Sequence, residues 1–339
     1  MRSASAWPST PKSGVRKVCS RKVEVFVSNS ELRSLEPQNR TTILALRRSY
    51  EKRLAEILSD GAAAGDLQVP DVAVVTYGVL SLLTGVGTNV LALSTGDGMV
   101  LVDSGAAQYS GALMASTSRV RTVFNTHFHL ENTGSNEAFG GAGSKILAHE
   151  NTRQWMATPY WVPAEDRYEK ARPKAAHPTE TFYTSGSLKD TEQIDYGYLI
   201  AAHTSGDIYV FFRNSNVLAA GDVTSPVRDP ELDYFTGAWI GGRVDAMDKL
   251  LKLSDDSTRI VPGYGPVMSR AELKTERDMM ATIYERTVDR VREGDSAEDM
   301  LKAGVMNSLT RTFHDPKKFL YDVHKGLWAH HNKLAPNVV

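Results

Sequence analysis

The chain has 339 residues, of which 39 are Lys or Arg, 40 are Asp or Glu and one is Cys, and its formal net charge is -1. This balance argues against a surface that binds nucleic acid along its whole length, and the single cysteine excludes an intramolecular disulfide framework. No run of about 18 apolar residues is present, which excludes a transmembrane helix on the usual criterion.

The beginning of the chain is basic and rich in serine, and its first acidic residue is Glu24. We expect residues 1–36 to form a basic, disordered tail, although a composition rich in Arg and Ser and poor in acids is also typical of organelle transit segments. Apolar residues at helical spacing then predict a helix over residues 37–60. This helix lies in an N-terminal helical segment, residues 37–65, which ends in the glycine-containing stretch Gly61 to Gly65.

From Val69 onward, short segments rich in β-branched residues and separated by Gly, Asn and Asp predict successive strands. These segments are VAVVTYGVL, NVLALST, MVLVDSG, RTVFNT, KILAH, YGYLIAAH, DIYVFF, NVLAAGD and TRIVP. Helical spacing predicts helices near Ala107–Ser118, at Met247–Leu253, Ala271–Arg292 and 297–303, and at Lys317–Asn332. Runs of strands with helices between and after them favour a layered α/β sandwich.

Polar residues with metal-binding side chains follow several of these strands. His127 and His129 come directly after RTVFNT, His203 ends YGYLIAAH, and Asp222 ends NVLAAGD. Two imidazoles two residues apart at a strand end can point to the same side, and imidazole suits zinc or iron. An isolated H-x-H pair is weak evidence, because ordinary loop residues also produce it. Ligands of open α/β sheets bind at the ends of strands, however, and this placement favours a metal site.

The order of the motifs resembles the metallo-β-lactamase superfamily over about residues 75–268. The motifs are Asp103-Ser104-Gly105, T-H-x-H-x-E-N from Thr126, H-T-S-G-D from His203, A-G-D ending at Asp222, and V-P-G-Y-G-P from Val261. The resemblance implies a four-layer αββα sandwich over residues 66–268, with the metal site at one edge of the two sheets. Residues 269–339 would form a C-terminal helical subdomain.

The resemblance assigns His127, His129 and His203 to the first metal site of the family. Asp222 takes the position that normally bridges two metals, and here it would complete the coordination sphere or orient a water. Three neutral imidazoles leave a divalent cation with an open position and a water of lowered pKa. Zinc is the expected metal, with iron and manganese as alternatives.

The positions of the second metal site differ from the family pattern. The family usually carries Asp, His and His where this chain has Glu131, Asn132 and Tyr264. Asn is a poor ligand, and a phenol is mostly protonated at pH 7. We therefore predict one metal ion per chain. Glu131 is a candidate general base or a longer-reaching ligand, and Tyr264 either donates a hydrogen bond to a developing oxyanion or merely packs.

Two loops rich in aromatic residues are candidates for substrate binding. Tyr160 and Trp161 begin a long polar insertion, and Tyr234, Trp239 and Arg243 follow Asp222. The aromatic residues suggest an apolar or ring-bearing substrate. Arg243 would anchor a carboxylate, or it would pair within the fold with an acid such as Asp245 or Asp248.

The function predicted from the resemblance is a mononuclear metallohydrolase that cleaves an ester, lactone, amide or thioester by metal-bound hydroxide. The alternatives are a mononuclear iron oxidoreductase of the sulfur dioxygenase type and a non-catalytic, metal-binding member of the fold. The expected partner is a small-molecule substrate, not a nucleic acid or a membrane, and the C-terminal helices would support a homodimer. A soluble, cytoplasmic protein is favoured, with organelle targeting as the alternative.

Overall fold

The computed structural model describes residues 88–95, 98–117, 119–162, 166–189 and 192–334. The expected tail (1–36), the N-terminal helical segment (37–65) and the predicted strand VAVVTYGVL lie outside these ranges. The described residues all belong to one compact unit.

Within those ranges, none of the helices combines the length and the apolar character that crossing a membrane requires.

The described elements alternate between short strands and helices. The strands are β1 (Leu91–Thr95), β2 (Gly98–Val102), β3 (Val120–Phe124), β4 (Lys145–His149), β5 (Tyr160–Val162), β6 (Arg167–Glu169), β7 (Glu180–Phe182), β8 (Ser185–Lys189), β9 (Gln193–Tyr198), β10 (Ile208–Phe212), β11 (Val217–Gly221) and β12 (Arg259–Pro262). The α-helices are α1 (Ser110–Ser116), α2 (Leu130–Thr133), α3 (Asn136–Gly141), α4 (Glu150–Ala157), α5 (Ile240–Leu253), α6 (Arg270–Glu293), α7 (Ala297–Lys302) and α8 (Pro316–Leu334).

Two five-stranded sheets form the centre of the fold. The first has the order β1-β2-β3-β4-β7, and the second has the order β12-β11-β10-β9-β8, while β5 and β6 form a separate hairpin. In the first sheet β2, β3, β4 and β7 run parallel. In the second sheet β11 and β12 are parallel, whereas the pairs β8–β9, β9–β10 and β10–β11 are antiparallel. The carboxyl ends of β2 and β3 therefore lie at one edge of their sheet, and those of β9, β11 and β12 lie at one edge of the other.

The alternation of side chains along each strand separates an inner core from two outer ones. In β2, Val100 and Val102 belong to the core between the sheets, whereas Met99 and Leu101 belong to the core under α1 and α3. Successive side chains of a strand point to opposite faces, so strands buried on both sides read as continuous apolar runs. The runs MVLV, IYVFF and VLAA are of this kind.

Helices cover the outer faces of both sheets, which gives the expected four layers. Leu113 of α1 and Phe139 of α3 pack on the first sheet. On the second sheet, α5 to α8 share one continuous cluster with β10, β11 and β12. The C-terminal helices thus pack on the same apolar face as α5.

The helix predicted at Met247–Leu253 begins earlier, at Ile240. Gly241 and Gly242 lie in its first turn. Because glycine disfavours helix, this turn is not predicted from the sequence. The indole of Trp239 packs directly over Gly241, where an added Cβ would lie 2.3 Å from a ring carbon. Tertiary packing therefore requires the glycine that weakens the local helical signal.

Candidate metal centre

Three histidines from the two sheets converge at the edge where the strands end. His127 and His129 follow β3 of the first sheet, and His203 follows β9 of the second. One ring nitrogen from each lies within 4.8 Å of those of the other two. The ring centroids are 4.7 to 4.8 Å apart, and the ring planes are nearly perpendicular.

The outer nitrogen of each imidazole donates a hydrogen bond away from this cluster. His203 Nδ1 lies 2.9 Å from the Glu231 carbonyl oxygen, and His129 Nε2 lies 3.2 Å from Asp233 Oδ2. His127 Nδ1 lies 3.0 Å from the Thr126 hydroxyl oxygen. That hydroxyl donates its own proton to Asp103, so it must accept from the imidazole. The proton of each neutral ring is thereby held on the outer nitrogen, as in many metal-binding histidines.

When all three rings are neutral, the inner nitrogens consequently present lone pairs to one another. His129 Nδ1 and His203 Nε2 lie 3.1 Å apart, and His127 Nε2 is buried without a hydrogen-bond partner. Two lone pairs at this distance repel unless a proton or a cation lies between them. Three nitrogen donors at this spacing fit a first-row divalent cation such as zinc or iron.

Burial and neighbouring carboxylates shift the pKa values of the three imidazoles in different directions. Burial lowers the pKa of both His127 and His203 well below the usual value, so these rings are neutral at pH 7. Burial also lowers the pKa of His129, but the hydrogen bond and charge of Asp233 outweigh it and raise the pKa to about 9. A bound cation would replace the proton on His129 Nδ1, because a metal ligand must be deprotonated.

Two buried aspartates hold the loops that carry the histidines. Asp103 accepts hydrogen bonds from the backbone N–H and the hydroxyl of Thr126, at 2.8 and 2.7 Å, and burial raises its pKa to about 7. Asp207 accepts from the backbone N–H groups of Ala202, His203 and Thr204. Each carboxylate satisfies backbone donors that the sharp turn after a strand leaves unpaired.

Asp222 lies beside the histidine cluster but is not part of it. Among the described residues, the group able to hold a metal consists of the three histidines. Asp222 Oδ2 accepts a hydrogen bond from Arg228, while Oδ1 is buried without a partner. Oδ1 also lies against Gly263, where an added Cβ would come within 1.7 Å of it. The glycine after Pro262 thus leaves the space that this carboxylate occupies.

The positions of the second metal site are occupied by side chains with other contacts. Asn132 is fully buried and donates to Asp103 at 3.0 Å, and its Oδ1 has no partner. Glu131 is half-buried in the first turn of α2. Tyr264 is 41% exposed, and its ring lies under the Arg228 guanidinium at 4.9 Å. No second cluster of His, Cys or carboxylate ligands is found in the described part of the chain.

Of the predicted substrate-binding residues, Tyr160 is connected to His129 through the ring of Phe128. Its ring contacts Phe128, between the two histidines of the H-x-H motif, at a centroid distance of 5.3 Å, and Phe128 contacts His129 at 4.6 Å. Trp155 stacks on Phe128 and contacts the exposed Phe235. Phe128, Trp155, Tyr160 and Phe235 are called the aromatic wall below. Trp161, by contrast, packs on Tyr168 within the β5–β6 hairpin.

The other three candidates have contacts within the fold. Trp239 stacks on His330 of α8, and Tyr234 packs against Tyr321 of the same helix. Arg243 is 0% exposed and donates to the Glu231 carbonyl oxygen and to Ser225 Oγ. In this structure Arg243 has no surface with which to contact a substrate.

The acidic partner of Arg243 differs from both acids named as alternatives in the sequence. Its Nη2 lies 3.9 Å from Glu276 of α6, whereas Asp248 pairs with Arg277. The correct partner is distant in sequence and could not be found by inspecting neighbours along α5.

Sequence reasoning missed several residues around the site. Thr126 and Asp233 hold outer imidazole nitrogens, Arg228 pairs with Asp222, and Phe128 and Trp155 form the aromatic wall. Thr126 and Phe128 could have been found from the sequence, because they flank His127 in the motif. Arg228 and Asp233 lie in an irregular loop, where no periodic pattern marks a functional side chain.

Several solved structures are similar to part of this chain. A metallo-beta-lactamase from Pontibacter korlensis aligns with 57% of this chain and 87% of its own length, with 20% identity and a TM-score of 0.47. The B3 metallo-beta-lactamase BLEG-1 aligns with 56% of this chain and 91% of its own length, with 19% identity and a TM-score of 0.47.

A curated relative is the alpha subunit of 2,4-dinitroanisole O-demethylase from Nocardioides sp. (strain JS1661). It is 25% identical over 244 residues, which are 68% of this chain and 65% of the relative. This chain therefore spans less than two thirds of the relative's length.

Two family models match the chain, in regions that overlap by a few residues. The model described as tetracyclin repressor-like, C-terminal domain, matches residues 12–88, almost all of them outside the described ranges. The model of the metallo-beta-lactamase superfamily matches residues 83–297, which is more than half of the chain and includes every motif of the histidine cluster. The chain belongs to the metallo-beta-lactamase superfamily.

Proposed function

We propose that this protein is a mononuclear metal-dependent hydrolase with zinc as the favoured ion. The observation that carries the proposal is the convergence of three imidazoles whose outer nitrogens are all engaged. Their inner nitrogens therefore face one another, and all three can donate to a cation that replaces the proton on His129 Nδ1. A cation bound there with an open position would lower the pKa of a water ligand to about 7.

The protein's own groups would orient this chemistry and move protons. Asp222 Oδ1, buried and without a partner, is suited to accept a proton or a hydrogen bond from a water beside the histidines. Glu131 is half-buried in the turn that follows His129 and is the candidate for exchanging protons with solvent. Tyr264 is partly exposed, and its ring contacts the Arg228 guanidinium that donates to Asp222.

The accessible members of the aromatic wall, Trp155, Tyr160 and Phe235, favour a substrate with a ring, whereas Phe128 is fully buried behind them. Phe128, Trp155, Tyr160 and Phe235 form a chain of ring contacts with centroid distances of 5.3 to 6.5 Å. We expect aryl esters, lactones and thioesters to bind better than alkyl ones, because stacking on aromatic rings adds to burial.

The curated relative extends the substrate classes to be tested. Its name states that it acts on 2,4-dinitroanisole, an aryl methyl ether activated by two nitro groups. Water cleaves such an ether to a phenol and methanol without any oxidant. Activated aryl ethers therefore belong beside esters, lactones, amides and thioesters in the proposed range.

The test is a chromogenic panel with matched aryl and alkyl esters, thioesters, lactones, an anilide and 2,4-dinitroanisole. It is run on metal-loaded and chelator-treated protein, in air and without oxygen, with His127→Ala as the control. We expect turnover of a hydrolysable substrate that requires the metal and His127 and is indifferent to oxygen. Turnover that needs oxygen would support the iron oxidoreductase instead. Absence of any metal-dependent reaction would favour a non-catalytic protein.

A further inference from the structure

The loop that follows β11 places an arginine at the edge of the histidine cluster. Arg228 Nη2 donates to Asp222 Oδ2, and the guanidinium lies over the ring of Tyr264 at 4.9 Å. The side chain is 37% exposed, whereas its carboxylate partner is 4% exposed. A cation therefore lies between a buried acid and an aromatic face, with part of its surface open to a ligand.

The backbone of this loop is anchored from the C-terminal part of the chain. Arg311 donates to the carbonyl oxygen of Arg228 at 3.0 Å and also to that of Ser225. The side chain of Val227 packs close to Gly265, where an added Cβ would lie 2.9 Å from it. These contacts fix the position of Arg228, so its guanidinium is preorganised.

The contacts of Arg228 coincide with the altered second metal site. Asp222 holds the position that bridges two metals in the family pattern, and Tyr264 replaces one of the second-site histidines. In this chain both residues contact one guanidinium. The guanidinium is therefore a positively charged group in contact with two residues whose positions the family pattern assigns to metal binding.

The guanidinium retains hydrogen-bonding capacity for a further anion. It carries five N–H donors, and the described residues show one hydrogen bond from it, to Asp222. Arginine recognises carboxylates and other oxyanions through paired donors, and stacking on a ring leaves its edge free for them.

We propose that Arg228 is the anion-binding residue of this site and serves as its second positive centre, holding a substrate or product oxyanion while it fixes Asp222. This assignment rests on the proposed hydrolase, whose acyl substrates release a carboxylate. The ligand class is a small carboxylate or a phenolate, with aromatic examples favoured by the ring wall.

The experiment measures benzoate binding by isothermal titration calorimetry, which does not depend on turnover. The proteins are the full-length wild type, Arg228→Gln, Arg228→Lys and Arg213→Gln, each chelator-treated and each zinc-loaded. Arg213 is the matched control, since it also pairs with an aspartate (Asp195) and covers an aromatic ring (Phe211). The metal-free arm isolates Arg228 from direct coordination of benzoate by zinc.

We expect Arg228→Gln to weaken benzoate binding to the metal-free protein by about tenfold or more, as loss of a charge-assisted hydrogen bond implies. Arg228→Lys should lie between this variant and the wild type, and Arg213→Gln should match the wild type. Equal benzoate affinities of Arg228→Gln and wild type would overturn the assignment, as would failure of the wild type to bind benzoate. If Arg228 governs benzoate binding but no substrate is hydrolysed, the anion site stands and the hydrolase proposal fails.

Discussion

The hydroxyl of Thr126 connects a buried carboxylate to one of the three imidazoles. It donates to Asp103 Oδ2 at 2.7 Å and accepts from His127 Nδ1 at 3.0 Å. We predict that Thr126→Val weakens cation binding about 10- to 100-fold, the effect usual for loss of a hydrogen bond to a metal ligand. Competition with a chromophoric chelator measures this affinity.

Thr126→Ser is the matched control, because it keeps the hydroxyl and loses a methyl group. Its cation affinity should stay close to that of the wild type. Equal affinities of Thr126→Val and wild type would show that the hydroxyl does not support His127 as a ligand.

At the scale of elements, the strands that surround the site were predictable and the short strands β5, β6 and β7 were not. The segments RTVFNT, DIYVFF and NVLAAGD correspond closely to β3, β10 and β11, because both faces of these strands are buried and apolar residues are continuous. The three-residue strands β5, β6 and β7 have no buried residue. Their sequence therefore carries no alternation from which a strand could be recognised.

The candidate site likewise contains residues that the sequence predicts and residues that it does not. His127 and His129 were predictable, because they follow a recognisable strand within a motif. His203 was predictable from its motif alone, since the segment YGYLIAAH was expected to be a strand up to His203 and β9 ends at Tyr198. Arg228 and Asp233 were not predictable, since their roles arise from the path of an irregular loop between β11 and α5.

The pair of Arg243 and Glu276 joins α5 to α6 inside the second outer layer. Both side chains are at least 94% buried, and Glu276 Oε1 also accepts from the Ser225 backbone N–H at 2.8 Å. Removing one partner of a buried pair leaves an uncompensated charge. We predict that Arg243→Met lowers the free energy of unfolding by about 3–5 kcal/mol, and that Arg243→Met with Glu276→Met loses less.

Urea unfolding of both variants measures this effect. A stable Arg243→Met protein with impaired substrate binding would instead support the role in substrate binding expected from the sequence. Asp248 provides a control, since its partner Arg277 is partly exposed, and Asp248→Asn should cost about 1 kcal/mol or less.

Helix α8 carries a buried carboxylate whose charge opposes folding. Burial raises the pKa of Asp322 from 3.8 to about 6, despite the hydrogen bond from Lys318. The facing carboxylates Glu231 and Asp233 raise it further. Because the folded-state pKa exceeds the unfolded one, the stability from the protonated form is complete below pH 3.8 and is lost as the pH rises through 6.

Asp322→Asn imitates the protonated form at every pH. Relative to the wild type, we predict that this variant gains about 1 kcal/mol in free energy of unfolding between pH 5 and pH 8. Urea unfolding of the metal-free proteins at both pH values checks this. A difference between variant and wild type that does not change with pH would show that Asp322 is ionised at pH 5 as well.

At the scale of the whole molecule, the metal site joins the two sheets. His127 and His129 belong to the first sheet and His203 to the second, so one cation would crosslink both halves of the sandwich. A cation at about a thousandfold excess over its dissociation constant adds about 4 kcal/mol of stability. We therefore predict that removal of the metal by a chelator lowers the unfolding temperature, and that His203→Ala abolishes this difference.

Calorimetry with and without chelator measures this shift, and zinc added back should restore the unfolding temperature of the wild type. An unfolding temperature that is indifferent to both treatments would indicate that the histidines do not link the sheets through an ion. The expected homodimer stays a prediction at this scale. Tyr321 and Trp328 of α8 are 46% and 57% exposed, while Phe319, Leu320, Val323 and Leu327 of the same helix pack on the core.

We propose that His127, His129 and His203 bind one cation and that the altered second site binds none. Elemental analysis of the purified full-length protein, dialysed after loading with excess zinc, tests it most directly. We predict about one metal ion per chain and, for His203→Ala, a large loss of that metal. Two ions per wild-type chain, or none, would contradict the account.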